Sequence, residues 1–118
     1  MHSKTDLSAS VCMDALQVRT SLRGSTAVIA VRGEIDYGSA PVLDQALEGL
    51  PTGADSVLLD MAGVTFMDVA GLHFLQRLNA FGRRHRVPVE TLNWGRQPRR
   101  VLEAAARTFT RAPEASLK

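Results

Sequence analysis

The order of apolar runs is the feature that most constrains this chain. AVIAV (27–31) and SVLLDM (56–61) are short and aliphatic, the pattern of strands inside a sheet. Between them, from Gly38 or Ser39 to Leu50, the residues Val42, Leu43, Ala46, Leu47 and Leu50 recur at i, i+3/i+4. That spacing predicts an amphipathic helix with Pro41 in its first turn, stopped by LPTG (50–53). The alternation then repeats. Leu72, Leu75, Leu78 and Phe81 mark a second helix over about 69–84. VPVETLNW (87–94) reads as a further strand, with Pro88 at an edge or first position, and QPRRVLEAAART (97–108) as a third helix with Pro98 near its start. Upstream, ALQVRTSLRGSTAVIAVRG reads as two strands about a turn at Arg23-Gly24-Ser25, the second ending at Gly33. The order β-β-α-β-α-β-α predicts an α/β domain: a mixed, mainly parallel sheet of about four strands with helices packed on it.

At 118 residues the chain is expected to be a single domain over 14–110, after a flexible leader (1–13) and before a tail (111–118). Aromatics make up only 5%, so aliphatic side chains must fill the core. No apolar run reaches the ~20 residues of a membrane-spanning helix, and the N-terminal stretch has no apolar core of a signal peptide. Direct membrane insertion is therefore not expected. Cys12 is the single cysteine, which excludes an internal disulfide and a cysteine metal cluster and suits a reducing, cytoplasmic setting.

The net charge of +2 hides an asymmetry. Residues 1–60 hold four Lys/Arg against eight Asp/Glu, whereas residues 77–111 hold nine Arg against Glu90 and Glu103. A basic half raises the question of an anionic partner. Nucleic acid is not expected, because the stretch lacks aromatic interleaving and a recognition-helix pattern. Arg83, Arg84 and Arg86 close the second helix, where cations suit the dipole. Arg96, Arg99 and Arg100 open the third, where cations do not suit it, and Trp94 before them reads as a lid for that helix.

VTFMDVAGL (64–72) is a strand-to-helix corner with one carboxylate at the join. Asp68 can accept N–H groups of the first helical turn and offset the helix dipole, worth about 1 kcal/mol. Val69 and Ala70 follow where a reactive corner would carry a hydroxyl or thiol. Gly71 lies inside the first turn at a propensity cost of up to ~1 kcal/mol against Ala, which close packing or a close partner would explain. Glu34 and Asp36 leave the second long strand at the same end of the sheet. The three carboxylates have no His or hydroxyl at ligand spacing, so no metal or cofactor is expected. An acidic docking rim is the better reading. No nucleophile and base stand together anywhere, so the chain is not read as an enzyme. His2 lies in the leader, His85 ends the second helix, and His73 sits one turn from the corner.

Taken together, VRGEIDYGSAPVL, VLLDMAGVTFMDVAGLHFL and QPRRVLEAA resemble, in order and spacing, the motifs of the STAS domain family (sulphate transporter and anti-sigma factor antagonist) across most of 15–108. In that family's bacterial regulators the residue after the signature Asp is a Ser or Thr, phosphorylated by an anti-sigma factor kinase of the GHKL ATPase fold. The resemblance aligns the Asp with Asp68, the phosphoacceptor with Val69, the next hydroxyl position with Ala70 and the glycine with Gly71. Both hydroxyls are gone. The resemblance implies a non-enzymatic, bacterial, partner-switching regulator of transcription that docks through Glu34, Asp36, Tyr37, Met67, Asp68, Val69, Ala70, Gly71 and His73. It also leaves open a scaffold or accessory subunit of a transporter or signalling assembly, and a homodimer.

Overall fold

The computed structural model describes residues 9–13, 15–51 and 53–109. Residues 1–8 and the tail at 111–118 lie outside the described residues. The elements follow in the order β1 (Ala9–Met13), β2 (Leu16–Arg23), β3 (Thr26–Ile35), α1 (Ala40–Glu48), β4 (Ser56–Met67), α2 (Val69–His85), β5 (Val89–Leu92) and α3 (Arg96–Phe109). The sheet order is β1-β2-β3-β4-β5, with β1-β2-β3 antiparallel and β3-β4-β5 parallel. This is the expected mixed α/β architecture with one strand more. Residues 9–13, taken from the sequence as leader, pair with Thr20–Leu16 instead. The hydrogen-bonding edge of β2 supplies partners that a polar, unpatterned stretch does not advertise.

Burial explains why these segments are strands. In β2, Leu16, Val18 and Thr20 are buried in the core together with Ala27, Ile29 and Val31 of β3 and Val57, Leu59 and Met61 of β4. The continuous apolar run 27–31 is buried on that face only, since Val28 and Ala30 are half-exposed. α1 packs on β1, β2 and α2, and α2 on β4 and β5, laying Val42, Leu43, Ala46, Leu47, Phe74 and Leu78 into the same core.

Two features position the corner. β3 does not stop at Gly33 but passes through it at φ +107° and ends at Ile35. A side chain there would meet the Ala15 carbonyl, whose oxygen accepts the Glu34 N–H at 2.8 Å, so only glycine fits. β4 carries two register shifts against β3, with Ala30 opposite Asp60 but Arg32 opposite Gly63, and Gly33 opposite Val64 but Glu34 opposite Phe66. Each adds one residue to β4 and reverses which face its side chains take. Burial therefore falls on Val57, Leu59 and Met61, then Val64, then Met67. The first bulge is held by Asp60, whose Oδ1 accepts the Ala62 N–H and the Asn93 side-chain amide, both at 3.0 Å.

β5 is shorter than the 87–94 expected. Pro88 stands just before it and uses only its carbonyl, which accepts the Val57 N–H at 2.9 Å. α3 packs on β4, with Pro98 buried and Trp94 partly buried against the core.

Candidate functional site

The corner stands at the carboxyl ends of the parallel strands β3 and β4. Asp68 is the N-cap of α2: its Oδ1 accepts the Ala70 N–H at 2.8 Å, and its own N–H donates to the Ile35 carbonyl at 3.1 Å. The second bond ties the start of α2 to the end of β3, so the cap fixes where the helix begins as well as satisfying it.

The residues expected to dock a partner divide into two groups. Met67, Ala70 and Gly71 are buried. Met67 is a core residue, and a Cβ on Gly71 would lie 2.6 Å from its Sδ, so the glycine admits the methionine side chain beneath the helix. Packing within the chain accounts for Gly71, and these three residues support the surface from below. Glu34, Tyr37, Val69 and His73 are exposed and Asp68 half-exposed, so they form the surface itself.

Asp36 belongs to neither group. Its Oδ1 accepts the Ser39 N–H at 2.9 Å, while Ser39 Oγ accepts the Asp36 N–H at 3.0 Å and donates to the Glu34 carbonyl at 2.9 Å. Ser39, which the sequence marks as a helix start, is the N-cap residue of α1 but spends its buried hydroxyl on this turn. Of the three carboxylates read as an acidic rim, Asp36 is thus engaged in the turn and Asp68 in its cap, leaving Glu34. No group of three or more His, Cys, Asp or Glu among the described residues could hold a metal ion.

Two residues of this site are missed by sequence reasoning. Phe66 is 40% exposed and joins Tyr37 (65%) and Val69 (43%) as an exposed large apolar residue at this end of the sheet. Alternation from Val64 would turn Phe66 inward; the second bulge turns it out and returns Met67 to the core. Gln97 of α3 is the other. Its Oε1 accepts the Met67 N–H at 2.8 Å and its Nε2 donates to the Met67 carbonyl at 3.0 Å. The side-chain amide acts as a one-residue strand partner at the end of β4. The only sequence signal was its place in QPRRVLEAA.

Thr65, the hydroxyl nearest the corner, is exposed and donates to the Gly33 carbonyl at 3.3 Å. Val69 occupies the first helical position with no oxygen on its side chain. The corner therefore offers a capped helix start and, at the same end of the sheet, exposed Tyr37, Phe66, Val69, Glu34 and His73.

The fold has known relatives. The family model described as "Mlab, STAS domain" matches residues 18–107. A crystal structure of an anti-sigma factor antagonist from Mycobacterium paratuberculosis superposes with a TM-score of 0.68 at 22% identity, covering 91% of this chain and 92% of that one. The STAS domain of an antisigma-factor antagonist from Rhodobacter sphaeroides gives 0.54 at 14% identity, over 68% and 88%. SLC26A9 gives 0.57 at 16% identity, over 76% of this chain but 17% of its own length, so the same fold also occurs as one part of a much longer protein. No curated protein matches the chain at a significant level. With the family match spanning most of the sequence and the fold shared with two anti-sigma factor antagonists, the chain belongs to the STAS domain family.

Proposed function

We propose that the protein is a non-enzymatic, protein-binding regulator of the anti-sigma factor antagonist kind, and that it docks through the corner at Asp68 onto an anti-sigma factor with a GHKL ATPase fold. One observation carries the reading. The first residue of α2, where the family's regulators present a phosphoacceptor, is exposed and is Val69. A phosphate there would add about −1.5 to −2 charges to the docking surface and switch it. With valine the surface stays in its unmodified, binding-competent form, and regulation falls to abundance and competition in the cytoplasm. Tyr37, Phe66 and Val69 supply the apolar centre of the contact, while Glu34, Asp68 and His73 form its polar rim.

The test is phosphotransfer. The protein is incubated with ATP and anti-sigma factor kinases from a genome that encodes it, and phosphate incorporation is measured by mass spectrometry. The wild type is expected to bind a kinase and remain unmodified, whereas Val69→Ser accepts phosphate and loses affinity. Modification of wild-type Thr65 or another residue beside Val69 would overturn the fixed-switch reading, and Thr65→Val locates it.

A second reading rests on SLC26A9, in whose much longer chain this fold is one part. In this reading the corner of the present chain is a docking surface within a larger assembly, and the protein is a scaffold or accessory subunit. Co-purification with a membrane permease in place of a soluble ATPase would favour it.

A further inference from the structure

About 20 Å along α2 from Asp68, judged from the helical rise per residue, an open groove of about 650 Å³ runs between α1 and α2. Its floor is the surface of the core: Val57 of β4, Leu47 and Leu50 from α1 and its exit, and Phe81 and Val87 from α2 and its exit. Val57, Leu47 and Leu50 are buried and Phe81 and Val87 half-buried, so the groove opens onto the edge of the core, and a concave, mainly apolar lining is what small-molecule sites have.

The rim is charged on both walls, acidic on α1 and basic on α2. Arg77 Nε donates to Asp44 Oδ1 at 2.8 Å, bridging α2 to α1, so these two charges offset each other. Beyond that bridge α1 contributes Glu48, and α2 contributes Arg84 and His85. The His85 ring lies against Phe81 with centroids 4.2 Å apart, which holds the imidazole at the wall. Arg83 and Arg86 stand exposed on the same helix end. Among the described residues no carboxylate lies within ion-pair distance of Arg83, Arg84 or Arg86. α2 contains no Asp or Glu at all. Two groups oppose an anion here: Glu48, and the helix C-terminus with about half a negative charge. Arg84 faces them from within the groove with His85 beside it, while Arg83 and Arg86 line a neighbouring cleft on the same helix end.

We propose that this groove binds a single-chain amphiphile with an anionic head, of the medium-chain fatty carboxylate class, with its chain on Leu47, Leu50, Phe81 and Val87 and its head at Arg84. The apolar floor selects an alkyl chain. The guanidinium fork of Arg84 matches a carboxylate, and the His85 ring can add one N–H donor. A free inorganic anion would leave the floor unused, and a cationic amphiphile would meet the arginines. The site lies apart from the docking corner and does not depend on that reading.

The test uses the full chain with hexanoate, octanoate, decanoate and dodecanoate below their micellar concentrations. Decanol and decyltrimethylammonium serve as neutral and cationic controls, and binding is followed by amide chemical shifts. Affinity is expected to rise about fourfold per added CH2 until the groove is filled. Decanoate should bind better than decanol, and decyltrimethylammonium worst. Arg84→Gln should cost decanoate about tenfold and leave decanol unchanged. Ala80→Trp, which fills the groove, should abolish both, with the thermal melt confirming that each variant is folded. Val69→Ser should change nothing here. No dependence on chain length, equal binding of the cationic amphiphile, or shifts confined to Tyr37, Phe66 and Val69 would each overturn the proposal.

Discussion

Gln97 and Met67 exchange two hydrogen bonds, 2.8 Å to the Met67 N–H and 3.0 Å from its carbonyl, so a side chain of α3 closes the end of β4 one residue before Asp68. Met67 is 1% exposed, so water cannot replace either bond cheaply. Gln97→Ala is expected to lower stability by about 2 kcal/mol, read as a fall in the urea midpoint, and to raise amide exchange at Met67 and in the first turn of α3. Unchanged exchange at Met67 would show that α3 does not hold the corner.

Asp68 joins a structural and a proposed binding role, and two substitutions separate them. Asp68→Ala removes the acceptor of the Ala70 N–H and should cost about 1 kcal/mol, near 4 °C in Tm. Asp68→Asn keeps an acceptor oxygen and should melt close to the wild type. If the carboxylate faces a partner, only the Asn variant combines full stability with reduced partner affinity in a calorimetric titration.

Gly71 sets two effects against each other. Helix propensity alone makes Gly71→Ala a gain of about 1 kcal/mol. The new Cβ, however, would meet Met67 at Sδ, Cγ and Cβ, at 2.6, 3.1 and 3.3 Å, in a side chain that has no solvent to move into. Overpacking of this kind costs about 1–3 kcal/mol, so the net change is expected to be destabilising. In a Met67→Ala background the same substitution should stabilise, and a double-mutant cycle by urea denaturation reads the coupling directly.

Arg86 ends α2 in the left-handed region, φ 58° and ψ 43°. Its N–H reaches the Arg83 carbonyl and the Val87 N–H reaches the Gly82 carbonyl at 2.9 Å, a Schellman closure that favours glycine at this position. Arg86→Gly is expected to raise stability by about 1 kcal/mol with an unchanged denaturant slope. Loss of stability would mean that the arginine side chain has a partner in the fold.

The periodicities at 42–50 and 72–81 and the apolar runs at 27–31 and 56–61 made α1, α2, β3 and β4 legible, because burial on one side of an element writes its period into the chain. Asp68 as a helix cap was legible too, since the acid stands just before the apolar period of α2. β1 was not: a strand held at a sheet edge by backbone pairing carries no obligatory side-chain pattern. Asp36 was read as a surface acid because its engagement with Ser39 depends on a turn geometry that composition does not encode.

Residue types alone determined the class of fold, the cap at Asp68 and the lack of a hydroxyl at Val69 and Ala70. Only the tertiary structure decided which side chains of the corner face outward. Two bulges in β4 shift its alternation twice, and they arise from pairing with β3, Gly33 included, and from the Asp60 contacts to Ala62 and Asn93. A bulge changes the phase of every residue beyond it, so a local period cannot be extrapolated across one. That is why Met67 lies under the helix beside Gly71 while Phe66 stands exposed at the corner.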